Sequence, residues 1–236
     1  MNTLGQLALM RLASPALPIG GFSYSQGLES AIEARWVTDT ESLAQWLLDA
    51  LSLNVGQYEA PMVFSMARAV RAENPGLAEQ LNDDYLASRE TAELHAETCQ
   101  MGYSLLRLLA GLSETSQVNA VRRAMPAQAS NWIDQERPAS LPFAWAMASN
   151  YFNLLPAQSL SAYAWAWLEN QVAAAIKAVP LGQQAGQIVF DRVQPALANA
   201  LEEASAMSPS DLSNFAPGAA LASTWHETQY SRLFRS

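Results

Sequence analysis

Apolar positions along this chain recur at helical spacing, and nowhere do they alternate as a half-buried strand requires. From Arg89 onward, Leu94, Thr98, Met101, Leu105, Leu108 and Leu112 follow one another at steps of four and three. One stripe of a long helix is therefore apolar, while Glu93, Glu97, Gln100, Ser104 and Arg107 take the opposite face. Thr38-Asp39-Thr40-Glu41 has the spacing of a capping box and opens an apolar run to about Val55. Further helices are expected over Leu141 to Asn153, Ala157 to Ala178 and Gln183 to Ala206, the last bent at Pro195. A short helix near Ala219 to Glu227 leads into the tail 227–236, which has no core of its own and reads as a flexible partner-binding segment.

At the other end, Pro15, Pro18, Gly20 and Gly21 break any helix until Ser23 or Ser25 can cap one, so residues 1–22 read as an irregular, partly apolar lead-in. Between Gly111 and Pro142 the chain turns polar, with Ser113, Pro126 and Pro138, and reads as a mobile loop or short helix. Together these signals predict an all-α fold, a single-domain bundle of about eight to ten helices spanning residues 1–236.

Half of the residues are hydrophobic and only 15% are charged, enough apolar material for one sizeable core or two small ones, of which a single domain is the favoured reading. The net charge of −9, with scattered arginines, leaves no basic stripe for phosphates, so nucleic acid is not an expected partner. No apolar stretch of roughly 20 residues is present, and an acidic surface is repelled by anionic lipid, so no membrane association is expected. The N-terminus lacks the basic leading region of a secretion signal, and the one cysteine, Cys99, has no partner for an internal disulfide. The expected compartment is the cytoplasm.

Catalytic chemistry is hard to assemble from this composition. The two histidines, His95 and His226, carry no triad signature, and the one lysine, Lys177, lies in AAAIKAVP without the glycines of a phosphate-binding loop. No enzyme activity and no cofactor are expected. His95 and Cys99, four apart on a helix, share a face and are candidate metal ligands, but two ligands fall short of the usual four. The alternative is that Cys99 and Gly102 lie where another helix packs closely. His226 reads as a surface or partner contact, with a transient nickel contact as the other reading. Asp83-Asp84 reads as a solvated helix end.

Four stretches, in an order and spacing that span nearly the whole chain, resemble the UreF family of urease accessory proteins. They are LASPALPIGGFSYSQGLE at Leu12 to Glu29, RETAELHAETCQMGYSLLRL at Arg89 to Leu108, WLENQVAAAIKAVPLGQQAGQ at Trp167 to Gln187, and HETQYSRLFRS at His226 to Ser236. The chain departs from the family pattern at His95, where a basic residue is usual, at Ser140-Leu141, in place of a His-Tyr pair, and at Thr224-Trp225, in place of Met-Arg.

The resemblance implies an all-α homodimer that binds UreD (also called UreH) and the GTPase UreG, docks with them on apo-urease, regulates the GTPase and assists nickel delivery. It implies no cofactor held by the chain itself, nickel crossing the complex only transiently. Carried onto these stretches, the partner-binding candidates are Tyr24, Ser25, Gln26, Glu29, Glu169, Asn170, Gln171, Lys177, His226, Gln229, Tyr230, Arg232, Leu233, Phe234 and Arg235. On an ideal helix Asn170, Ala173, Ala174 and Lys177 fall close to one face, a stripe suited to a groove wall. The plainer reading is an amphipathic helix whose lysine reaches solvent. The tail mixes apolar anchors with arginine, the residue types that concentrate binding energy at interfaces. Two rival readings are a generic helical adaptor unconnected with metal and a helical enzyme with a small-molecule pocket lined by Trp, Met and Phe.

Overall fold

A computed structural model describes residues 3–112, 120–179, 181–208 and 211–236, and among these there is no strand. The helices are α1 (Thr3–Ala13), α2 (Leu28–Glu33), α3 (Thr40–Ala50), α4 (Ala60–Arg71), α5 (Pro75–Ala87), α6 (Ala92–Gly111), α7 (Ala120–Asp134), α8 (Leu141–Tyr151), α9 (Pro156–Ala178), α10 (Gln183–Ala206) and α11 (Pro217–Thr228). A π-helical segment, Leu51–Glu59, joins α3 to α4 without a break, so the eleven α-helices among the described residues make ten rods. The all-α expectation holds, and α8, α9, α10 and α11 begin within two residues of the positions read from the sequence.

Four local readings are corrected. Residues 1–22 are not irregular throughout. Thr3–Ala13 is helical, because its run of Leu, Ala, Met and Gln carries strong helix formers and the breakers begin only at Pro15. The cap of α3 is Asp39, one residue later than read, with its Oδ1 accepting from Ser42 N at 2.9 Å. That bond, with the Ser42 hydroxyl beside it, holds the Asp39 carboxyl below the usual range. The chain does not stop near Val55 either. Pro61 lacks the N–H that would bond Gln57 four residues back, and the wider π turn carries the helix past it. The Gln57 carbonyl accepts instead from Ser213 N at 3.1 Å. Finally, the stretch after Gly111 holds a fifteen-residue helix, α7, with Pro126 inside it. Ser113, read as part of a mobile loop, lies outside the described residues.

The chain forms two compact units. The first comprises Met1–Gly20, Met62–Ser88 and Thr98–Tyr163, and the second Gly21–Pro61, Arg89–Glu97 and Ala164–Ser236. Neither is a contiguous stretch, since the boundaries fall within α4, α6 and α9.

In the first unit every residue of α8 is buried, as a helix apolar all round must be. Both α5 and α7 pack on it. Ser140 caps α8 by accepting from Phe143 N at 3.3 Å, and the cap is itself held from two sides. Asn82 Oδ1 accepts from Ser140 N at 2.8 Å and Thr98 Oγ1 from Leu141 N at 2.9 Å. Gly102 makes this approach possible, because a Cβ there would lie 2.1 Å from the Ala139 carbonyl oxygen.

In the second unit α10 packs on α3 and on the π-helical segment. Leu28, Leu43, Leu47, Val172, Val189 and Val193 centre the core. Phe234 joins that core from the tail, so residues 227–236 are not a free segment. Their anchor is polar and lies within their own chain.

Candidate functional site: a carboxylate-anchored tail

Gly27, with φ of 80°, precedes α2 and lets its first turn meet α11, where a Cβ would stand 2.9 Å from Ser223 N. This close approach brings Glu29 of α2, Glu93 and Glu97 of α6, and His226 of α11 together. All four are largely shielded, and His226 is wholly buried.

A buried carboxylate needs donors, and the tail supplies them. Glu29 Oε1 accepts from Leu233 N at 2.7 Å and Oε2 from Phe234 N at 3.0 Å. The His226 ring bridges two acids, with Nε2 3.2 Å from Glu29 Oε2 and Nδ1 2.6 Å from Glu93 Oε2. Only the doubly protonated ring donates to both at once. Arg232 donates to Glu93 Oε1 at 2.5 Å.

The tail's last turn closes on the segment before α2. Arg235 N donates to Ser23 O at 2.8 Å, and Ser25 donates to Ser236 O through both its N at 2.8 Å and its Oγ at 2.5 Å. Ser236 Oγ donates to Glu97 Oε2 at 2.5 Å. Gln26 completes the chain of bonds. Its Nε2 donates to Glu97 Oε1 at 2.8 Å, and its Oε1 accepts from Trp167 at 3.1 Å and Gln171 at 3.3 Å. Asn170 donates to Tyr24 O at 2.9 Å.

Burial pushes the Glu97 carboxyl up to about 7, against the opposing pull of the Ser236 and Gln26 donors and with Glu59 adding to the rise. Burial also raises the Tyr24 hydroxyl, with Glu97 contributing and Arg235 opposing.

The sequence candidates separate clearly. Tyr24, Ser25, Gln26, Glu29, Asn170, Gln171, His226, Arg232, Leu233, Phe234 and Arg235 meet in this network, while Gln229 accepts from Ser30 beside it at 2.9 Å. His226 is therefore not a surface contact but a core group, fixed by the two acids that flank it. Tyr230 is fully exposed and Leu233 is 69% exposed. Lys177 is exposed on α9, its Nζ 5.8 Å from the Phe22 ring and 5.7 Å from that of Phe234. Ala174, placed on the same stripe from the sequence, turns into the core. Glu169 is half-buried, and that burial raises its carboxyl.

His95 is exposed and Cys99 half-buried, its thiol raised by burial. Among the described residues no group of three His, Cys, Asp or Glu could hold a metal ion. Sequence reasoning missed Glu93, Glu97 and Ser236. The available signal was a segment from Thr228 to Ser236 with two arginines and no acid, set against Glu93 and Glu97, four apart on one helix face.

The two signature ends of the chain thus fold onto each other. The UreF family model matches residues 37–194. The urease accessory protein UreF of Azoarcus sp. (strain BH72) is 45% identical over 230 residues, covering 98% of this chain and 95% of that protein.

The chain belongs to the UreF family.

Two more UreF proteins match as fully. That of Pseudomonas fluorescens (strain SBW25) is 46% identical over 230 residues, covering 97% of this chain and 98% of its own. That of Nitrosococcus oceani is 45% identical over 239 residues, covering 100% of both. As a UreF the chain is a urease accessory protein, not a catalyst. No described helix of this UreF is long and apolar enough to cross a membrane.

Proposed function

We propose that this UreF acts in the cytoplasm as a homodimeric scaffold that bridges UreD (UreH) and the GTPase UreG, regulates the GTPase, and assists nickel delivery to apo-urease. Nickel crosses the assembly without a resident site on this chain. The observation that carries the reading is the division of labour along the tail: Phe234 and Ser236 are buried, while Tyr230 and Leu233 stand in solvent. A segment anchored by its backbone and last side chains holds its remaining apolar groups ready for a partner at little ordering cost. Lys177, beside Phe22 and Phe234, extends the same surface with a cation.

Co-purification of the tagged chain with untagged UreD and UreG tests this, with masses read by light scattering. Leu233→Asp, which leaves the Glu29 anchor in place, should abolish UreD co-purification while the dimer and its thermal transition persist. Lys177→Ala should leave folding intact and lower nickel occupancy in co-expressed urease. A monomer that ignores both partners sinks the scaffold reading. We further propose that the chain unfolds as a single domain, because α6 and α9 each contribute residues to both units. One calorimetric transition is expected.

A further inference from the structure

A cleft of about 590 Å3 opens in the first unit between α5 and α7, which both pack on α8. Its size falls within the range of small-molecule sites. Its base is made of Met125, Trp132, Phe143 and Met147, all buried, with the Trp132 and Phe143 rings 4.3 Å apart. Small residues, Pro75 and Ala78 on α5 and Ala124 on α7, leave room between the walls.

The polar groups at the rim set the charge of what fits. Arg137 does not line the cleft: its guanidinium lies 4.0 Å from the Trp132 ring centroid and 3.1 Å from Glu79, whose charge it pairs. Trp132 Nε1 is satisfied by the Arg137 carbonyl at 3.0 Å. Glu73 lines the mouth as an exposed carboxylate, with Gln128 and Asn131 across from it on α7. Its backbone is in the left-handed region, φ 53°, at the turn where Asn74 caps α5 through Leu77 N.

We propose that this cleft binds a small amphiphilic cation, its aromatic or branched apolar body on Met125, Trp132, Phe143 and Met147 and its ammonium group at Glu73. An apolar floor rewards burial of a ring, two methionines adapt to its outline, and among the described lining residues the one charge outside an ion pair is negative. This inference is independent of the scaffold reading.

The test uses the full chain carrying 13C-methyl methionine and three probes of one shape: 3-phenylpropylamine, 3-phenylpropanol and 3-phenylpropionate. The amine should shift the Met125 and Met147 methyl signals saturably, the alcohol should bind about tenfold more weakly, and the carboxylate should not bind. Glu73→Gln should bring the amine down to the alcohol's affinity without changing the alcohol's. Ala124→Phe, at an exposed position, should fill the cleft and abolish both with the thermal transition retained. Methyl signals that no probe moves, whether because the cleft is filled by this chain or because it takes only a larger partner, would overturn the proposal. So would equal binding of amine and carboxylate, or unchanged binding in Ala124→Phe.

Discussion

Glu97 and Ser236, 139 residues apart in the chain, meet at 2.5 Å with the serine hydroxyl donating. The acceptor is a buried carboxyl whose proton affinity burial has raised, to about 7 from an ordinary value of 4.5. The folded state therefore holds that proton more tightly than the unfolded chain does. Stability from this group is present below the unfolded value and lost as pH rises through about 7. Glu97→Gln, which keeps an acceptor for Ser236, should gain on the parent by on the order of 2–3 kcal/mol between pH 4.5 and 8. Urea midpoints of both proteins across that range measure it, and a constant difference refutes it.

His226 and Arg232 both contact Glu93, but their removal should differ sharply. His226 is wholly buried between two acids, so His226→Ala takes one partner from each buried carboxylate and leaves a cavity, and should cost about 3 kcal/mol or more. Arg232 is 39% exposed, and Arg232→Ala should cost less than about 1 kcal/mol. Similar losses in chemical denaturation would contradict the assignment of His226 to the anchor.

Gly102→Ala tests the approach of α6 to the cap of α8. With a backbone oxygen 2.1 Å from the new Cβ, the helices must separate, and a loss of about 2–4 kcal/mol is expected. A thermal midpoint within a degree of the parent would mean that the approach is looser than described.

The α2 end is a stabilising opportunity. Arg35 has φ of 60°, with Trp36 N bonded to Ala31 O at 2.9 Å and its own N to Ile32 O at 3.0 Å, the paired bonds of a Schellman turn whose left-handed position favours glycine. Arg35→Gly should raise stability by about 0.5–1 kcal/mol, read as a higher urea midpoint.

The helices of the second half were legible because their apolar periods are long and their ends are marked by Gly, Pro and Ser. The N-terminal helix was not, since prolines at 15 and 18 drew attention from the good helix formers before them. The run read as reaching about Val55 continues because a π turn carries the helix past Pro61, with the freed Gln57 carbonyl meeting Ser213 N from far along the chain. In the site, the tail and the segment around Tyr24 stood out by resemblance. Their mutual contact did not, because the acids that join them, Glu93 and Glu97, look in sequence like the solvated face of an amphipathic helix.

The backbone anchor at Glu29 also has a consequence for synthesis. Leu233 follows Glu29 by 204 residues, a delay of about 10–40 s at about 5–20 residues per second. Once Glu93 and Glu97 have followed Glu29, 64 and 68 residues behind it, the nascent chain holds all three acids without the tail donors that later meet them. A translation product stalled before Arg232 therefore carries an open acidic seam that the full chain closes with its own tail.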